Sequence, residues 1–261
     1  MTMIIAISNE KGGVAKTTTT LSLGAALAEL GNRILLIDLD PQANLTLALG
    51  LEPGESTFSS GNVLIESLSL RQAVRVTDVE RIDLVPSNAK IEAAEQFLPL
   101  RNDYQKILRH AIETANPAKY DYILLDCPPA LGAITVNALT AASLVVIPTQ
   151  AEYFSAYALR NMMNIIRRVR EEGNPLLAYR ILVTLLDRRN RTHRNIHEQL
   201  LATFGEGVFT TIIETDTKLR ESPIVGLPIT QYKPNSRSSL QYRILAQELI
   251  EYVKEENQQP A

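Results

Sequence analysis

Cysteine is nearly missing from this chain. Cys127 is the only one in 261 residues. No internal disulfide, four-thiolate cluster or cysteine-rich zinc site can be built from it, and a reducing compartment fits. Histidine is scarce as well. His193 and His197 have a metal-binding i, i+4 spacing, but no third ligand follows at a suitable distance. No apolar run approaches the roughly 18–20 residues of a membrane span. The first apolar run, Met3–Ile7, lacks a basic flank and turns polar at Ser8, so it does not read as a secretory signal. A cytoplasmic protein is expected. An excess of positive charge is also lacking. Lys and Arg total 26 against 29 Asp and Glu, a net charge of −3, and that average does not suggest a nucleic-acid binder.

What is present suits a folded core. Apolar residues make up 45% and charged residues 21%, near the globular average, with no internal repeat or low-complexity linker. Residues 1–261 are expected to form a single domain. Short apolar runs at Met3–Ser8, Arg33–Asp38, Arg81–Pro86, Tyr122–Asp126, Leu144–Pro148, Arg180–Leu186 and Val208–Ile213 read as strands. Helical patterns lie at Lys16–Leu30, Ala89–Phe97, Tyr104–Thr114, Ile134–Ala142, Ala156–Glu172, Asn195–Phe204 and Leu240–Lys254. Near-continuous apolar strands between helices predict an α/β fold: a mostly parallel, twisted sheet flanked by helices on both faces. The polar stretch Glu52–Gly61 reads as a surface loop.

The first strand runs into Glu10-Lys11-Gly12-Gly13-Val14-Ala15-Lys16-Thr17-Thr18, and a helix follows. Adjacent glycines let successive N–H groups point inward as an anion nest, and the helix N-terminus adds partial positive charge. Lys16 suits β/γ-phosphates, and the Thr17 hydroxyl suits Mg²⁺. This is a P-loop with Glu10 and Ala15 where the common pattern has glycines. The spacing resembles the KGGxxK[ST] box of ParA/MinD-type ATPases, with Ala15 a tolerable departure from the commoner glycine. That resemblance implies a P-loop NTPase fold, ATP and Mg²⁺ as cofactors, and a loop from Lys11 through Thr18 that holds the phosphates. It also implies that Lys11 reaches the phosphates of a second copy in a sandwich dimer, much as an arginine finger does.

Two carboxylate groups accompany the loop. Asp38 and Asp40 end the second strand in Asp38-Leu39-Asp40-Pro41-Gln42, which resembles the family's DxDPQ box. Carboxylates beside phosphates can orient water and help hold Mg²⁺. The resemblance assigns Asp40 to the attacking water and puts Asp38 near the metal. Asp126 closes an apolar strand in the Walker B manner and is the expected Mg²⁺ partner with Thr17. The run Asp126-Cys127-Pro128-Pro129-Ala130-Leu131-Gly132 resembles the family's switch segment, with Gly132 as a pivot and Cys127 as small filler. The resemblance extends over nearly the whole chain, through Pro86-Ser87-Asn88, Pro148–Glu152 and Glu221–Pro228. The family's adenine loop commonly reads Pro-Arg-Asn, whereas Glu214-Thr215-Asp216 stand here. Asp216 is the expected acceptor from the adenine amino group, with backbone groups near Pro223 as the alternative.

The charge is unevenly spread. From Arg160 to Arg194 there are nine arginines and three acids, a local +6, leaving −9 for the rest of the chain. Arginines interleaved with Asn, Thr and His suit phosphate-backbone contacts, which carry no base readout. By resemblance to ParA-like proteins, Arg189 and Lys218 are the expected contacts to nonspecific DNA, with Arg188, Arg191, Arg194 and Arg220 as helpers. The expected protein is a nucleoid-associated positioning ATPase. Its ATP-bound dimer holds DNA and lets go when an adaptor stimulates hydrolysis. The cargo is a plasmid, a chromosome region or a protein body such as a carboxysome. Two alternatives remain. A MinD-like membrane cycle is disfavoured by the acidic tail Glu251–Asn257. An ATP-dependent metabolic enzyme of the same fold is disfavoured by the basic cluster.

Overall fold

The alternation of apolar runs with amphipathic stretches folds as one sheet with helices on both faces. The computed structural model describes residues 2–54, 58–115 and 119–256. Its strands are β1 (Met3–Ile7), β2 (Ile34–Asp38), β3 (Arg75–Val76), β4 (Ile82–Val85), β5 (Tyr122–Asp126), β6 (Leu144–Gln150), β7 (Ala178–Leu186) and β8 (Ile213–Glu214). The helices are α1 (Lys16–Glu29), α2 (Asn44–Ala48), α3 (Ser60–Glu66), α4 (Leu70–Ala73), α5 (Lys90–Phe97), α6 (Ile107–Thr114), α7 (Ala133–Ala141), α8 (Ser155–Glu172), α9 (Arg191–Phe204), α10 (Thr217–Glu221), α11 (Ile229–Tyr232) and α12 (Arg237–Glu256). The strand order is β3-β4-β2-β5-β1-β6-β7-β8, and all pairings are parallel except the edge pair β3–β4.

Apolar runs without alternation are what a sheet covered on both sides requires. Along β2, Leu35 and Ile37 join the core beneath α5 to α8, while Ile34 and Leu36 join the core beneath α1 and α12. A methyl at Gly24 would come within 3.0 Å of a Leu36 methyl, so glycine lets α1 lie close over β2. Tyr242 of α12 is fully buried, and its hydroxyl meets that of Thr19 on α1 at 3.1 Å.

The chain returns from β4 to β5 in the gap between β2 and β1, then crosses β1 to reach β6. Ligands of open α/β sheets sit at such reversals, outside the carboxyl ends of the strands. Asp126 pairs in register with Ile7 on one side and Asp38 on the other. The segments that follow β1, β2 and β5 therefore leave the sheet side by side.

The structure departs from the sequence reading in places. The strand expected at Val208–Ile213 is broken: Val208 makes one bridge to Ile181, and the ladder resumes at Ile213. The Glu248 carboxylate of α12 accepts from the amides of Thr210 and Thr211, which pulls the chain off the sheet between them. Helix α9 starts at Arg191 rather than Asn195, because the Asn190 side chain accepts from the amides of Thr192 and His193 and caps it. Helix α12 begins at Arg237 rather than Leu240. The polar stretch Glu52–Gly61 gives way to α3 at Ser60, where Ser59 and Asn62 form a capping box; residues 55–57 within it lie outside the described residues. Asn257 of the acidic tail lies outside them too.

Candidate nucleotide site

The loop after β1 is held on its far side by β6 and β7. Asn9 donates to the Pro148 carbonyl at 2.8 Å, Gln150 to the Gly13 carbonyl at 3.1 Å, and Thr184 to the Val14 carbonyl at 3.0 Å. With its carbonyls tied back, the loop turns its other side to a cavity of about 650 Å³. Gly12, Gly13, Ala15, Lys16, Thr17 and Thr18 line it, whereas Val14 is buried behind. A Cβ at Gly12 or Gly13 would meet no atom of the described residues within 4 Å, so the backbone there borders open space. Gly13 has φ +75°, and Ala15, which caps α1, has φ +68° and ψ +36°. Ala15 thus occupies the left-handed region that favours glycine, which costs an L-residue about 1 kcal/mol or more. The substitution is tolerated at the expense of local strain.

Lys16 is buried and donates to the Lys11 carbonyl at 3.2 Å, closing the loop over its ammonium group. Burial lowers its pKa, opposed by the charges of Asp126 and Asp40. Asp126 is fully buried. One oxygen accepts from Thr20 at 3.2 Å, and the other, Oδ2, has no hydrogen-bond partner among the described residues. Burial, and then the charge of Asp38, push its pKa well above the carboxylate range, while Thr17 and Lys16 favour its charged form. A buried carboxylate oxygen left bare beside a threonine hydroxyl suits a hard divalent cation, whose charge would reverse that shift. The residues present therefore fit a Mg²⁺–phosphate pair.

The two carboxylates after β2 part company. Asp40 lines the cavity, with one oxygen accepting from the Gln42 amide at 2.9 Å. Asp38 is fully buried and turns toward α2, where Oδ2 accepts from both the amide and the hydroxyl of Thr46 and Oδ1 from the Asp40 amide. Burial raises its pKa to about 6, partly offset by these donors. Asp38 thus ties the β2–α2 turn together while remaining beside Asp126. Thr46, which sequence reasoning missed, also receives the Ser87 amide at 2.9 Å and so joins that turn to the Pro86–Asn88 segment.

Lys11 does not line this cavity. Its Nζ pairs with Glu152 at 2.5 Å and Gln150 at 3.3 Å, in a separate concavity with Pro129, Leu131, Phe154 and Tyr157. Gly132, the expected pivot, immediately precedes α7. The Glu95 carboxylate accepts from the amides of Ala133 and Ile134 at the start of α7, and a Cβ at Gly132 would overlap it. Cys127 is fully buried, and burial raises its pKa.

The residues expected at the adenine and at DNA make contacts within the chain. Both Asp216 oxygens are committed, one to the Lys218 amide at 2.9 Å and one to the Ser238 hydroxyl at 3.1 Å, because Asp216 caps α10. Pro223 does line the cavity, as do Leu47 of α2 and Leu185 of β7. Arg188 pairs with Glu214, Arg189 with Asp187 and Lys218 with Glu221. Arg194 donates to the Arg188 carbonyl, and Arg191 stands in the same first turn of α9. Arg220 lines the nucleotide cavity. Of the more N-terminal arginines, Arg168 pairs with Glu172 and Arg170 donates to the Leu177 carbonyl. His193 uses Nδ1 to accept the Asp187 amide.

A family described as "AAA domain" matches residues 2–179. The sporulation initiation inhibitor protein Soj of Bacillus subtilis is 39% identical over 250 residues, covering 95% of this chain and 98% of its own. The chromosome partitioning protein ParA of Caulobacter vibrioides is 37% identical over 251 residues, covering 95% and 93%. The chain belongs to the ParA/Soj family of AAA-domain proteins. Its fold is that of the P-loop nucleotide-binding proteins. Among solved structures, cobyrinic acid a,c-diamide synthase from Mycobacterium smegmatis with bound ADP and magnesium superposes with a TM-score of 0.86 at 33% identity, covering 100% of this chain and 99% of that one. Among the described residues of this ParA/Soj member, no helix is long and apolar enough to cross a membrane.

Proposed function

We propose that the whole chain acts as one Mg²⁺-dependent ATPase of the partition and positioning type. Its ATP-bound form pairs with a second copy, holds nonspecific DNA, and releases it when an adaptor protein stimulates hydrolysis. One observation carries this reading: the Gly12–Thr18 loop and Asp40 share a cavity next to a buried Asp126 whose Oδ2 is bare. The names of the Soj and ParA relatives support the partition role, and the ADP–magnesium complex of the synthase supports the cofactor pair.

The amides of Gly12 and Gly13 and the N-terminus of α1 cradle the phosphates, and Lys16 adds a point charge. Thr17 and Asp126 would hold Mg²⁺, which neutralises phosphate charge. Asp40 orients the attacking water from the cavity wall. Asp38 acts indirectly, by fixing the turn that carries Asp40. Lys11 exchanges Glu152 for the partner copy's phosphates. That ion pair is partly exposed, and such pairs are worth about 1 kcal/mol or less, so the exchange is cheap. The basic residues Arg188, Arg189, Arg191, Arg194 and Lys218 then contact DNA backbone, and pairing two copies doubles the patch. The protein works on the nucleoid in the cytoplasm, without a membrane partner. Its cargo is a plasmid, a chromosome region or a protein body.

The likeness to a synthase favours a second reading, a metabolic enzyme that spends ATP on a small substrate. One experiment separates the two. ATP turnover and binding to random-sequence DNA are measured with and without Mg²⁺ at several salt concentrations. The partition reading expects DNA affinity that appears only with ATP and falls steeply with salt. Lys16→Ala is expected to abolish ATP binding. ATP hydrolysis with no DNA affinity at low salt would favour the metabolic enzyme, and retained ATP affinity in K16A would sink both.

A further inference from the structure

The nucleotide cavity is lined by two kinds of residue. Lys16 and Asp40 are charged, whereas Leu47, Leu185, Leu219, Pro223 and Ile224 are apolar. Arg220 also lines it, next in the chain to Leu219 and three residues before Pro223. It is exposed, and unlike Arg188, Arg189 and Lys218 it has no carboxylate partner among the described residues. Its neighbour Leu219 is buried at 2% exposure and anchors α10 against the cavity. Lys218 lies two positions earlier on α10, about 200° around a helix axis, so the two cations face different ways. Asp216, the expected base acceptor, caps that same helix.

We propose that Arg220 is a nucleotide contact and not a DNA contact: its guanidinium lies flat against the purine base seated between the apolar walls. A guanidinium is planar and weakly hydrated, and it stacks on aromatic faces in a way an ammonium does not. This assignment rests on the ATPase reading above and adds to it the side chain that grips the base.

The test titrates the full-length chain with ATP and with tripolyphosphate, which has phosphates but no base, for the wild type, Arg220→Ala and Arg220→Lys. The side chain is exposed, so both variants are expected to fold, with far-UV circular dichroism as the check. R220A is expected to weaken ATP binding about three- to thirty-fold and to leave tripolyphosphate unchanged. R220K keeps the charge but not the plane and is expected to weaken ATP binding as well. DNA affinity at saturating ATP is expected to stay at the wild-type level. Unchanged ATP affinity in R220A, equal weakening for both ligands, or full rescue by R220K would each overturn the contact. Failure of the wild-type chain to bind ATP would overturn the ATPase reading and this contact together, whereas failure confined to the variant comparison would overturn only Arg220.

Discussion

Ala15 offers a direct test of the phosphate loop's geometry. At φ +68° and ψ +36° its Cβ crowds the following carbonyl, and this conformation costs an L-residue about 1–2 kcal/mol. Glycine removes the crowding, but it gives the unfolded chain freedom worth about 0.5–1 kcal/mol. Ala15→Gly should therefore stabilise the nucleotide-free protein by about 0.5–1 kcal/mol. For a chain of this size that is a rise in Tm of about 1–4 °C. Valine at the same position adds a second branch where a left-handed backbone tolerates it least, so Ala15→Val should lose 1 kcal/mol or more. The Thr19 amide bonds the Ala15 carbonyl at 2.9 Å, so strain at this cap is also strain in the first turn of α1. Urea midpoints and calorimetric Tm values of the three proteins, measured without nucleotide, give the comparison. A15G less stable than wild type, or A15V equal to it, would show that the backbone here is not left-handed and would remove the strained-cap reading.

Three further outcomes are expected. Asp38 holds its proton to about pH 6 in the fold, against 3.8 ordinarily. Its folded pKa is raised, so stability is lost as pH rises from about 4 to 6, by up to about 3 kcal/mol; Asp38→Asn should flatten that slope, and parallel pH–Tm profiles for the two proteins would refute it. Asp40→Ala should keep ATP affinity within about tenfold while turnover falls about a hundredfold or more, and normal single-turnover hydrolysis would release Asp40 from its role. Arg189 has a side chain 91% exposed, and its pair with Asp187 adds little to folding. Arg189→Glu should thus leave Tm and ATPase intact, weaken DNA binding at least tenfold, and flatten the salt dependence by about one phosphate per copy. An unchanged salt slope would take Arg189 off the DNA face.

Much of this was written into local sequence. A parallel strand buried on both sides must be apolar throughout, so Ile34–Asp38, Tyr122–Asp126 and Leu144–Gln150 stood out without any partner being known. A phosphate nest is contiguous, and the Gly12-Gly13 and Lys16-Thr17 pairs could be read together. Short elements were not legible. Helix α2 has five residues, too few for periodicity, and Asp38 holds it from a distance by gripping Thr46; the strand expected at Val208–Ile213 is cut to the two residues of β8 where Glu248 takes the Thr210 and Thr211 amides.

The sequence by itself determined the strand–loop–helix that cradles phosphate, the acids that close β2 and β5, and the strongly basic stretch near Arg188–Arg194. Each depends on residues adjacent in the chain. Only the tertiary structure decided what each polar side chain has left to offer. It set Asp216 to cap α10, made Asp38 a brace of the β2–α2 turn, paired Lys11 with Glu152, and left Asp126 Oδ2 bare among the described residues. It also placed Arg220 on the lining of the nucleotide cavity. The physical reason is that residue type sets which bonds a group can make, while only the fold decides which partners come within reach of it.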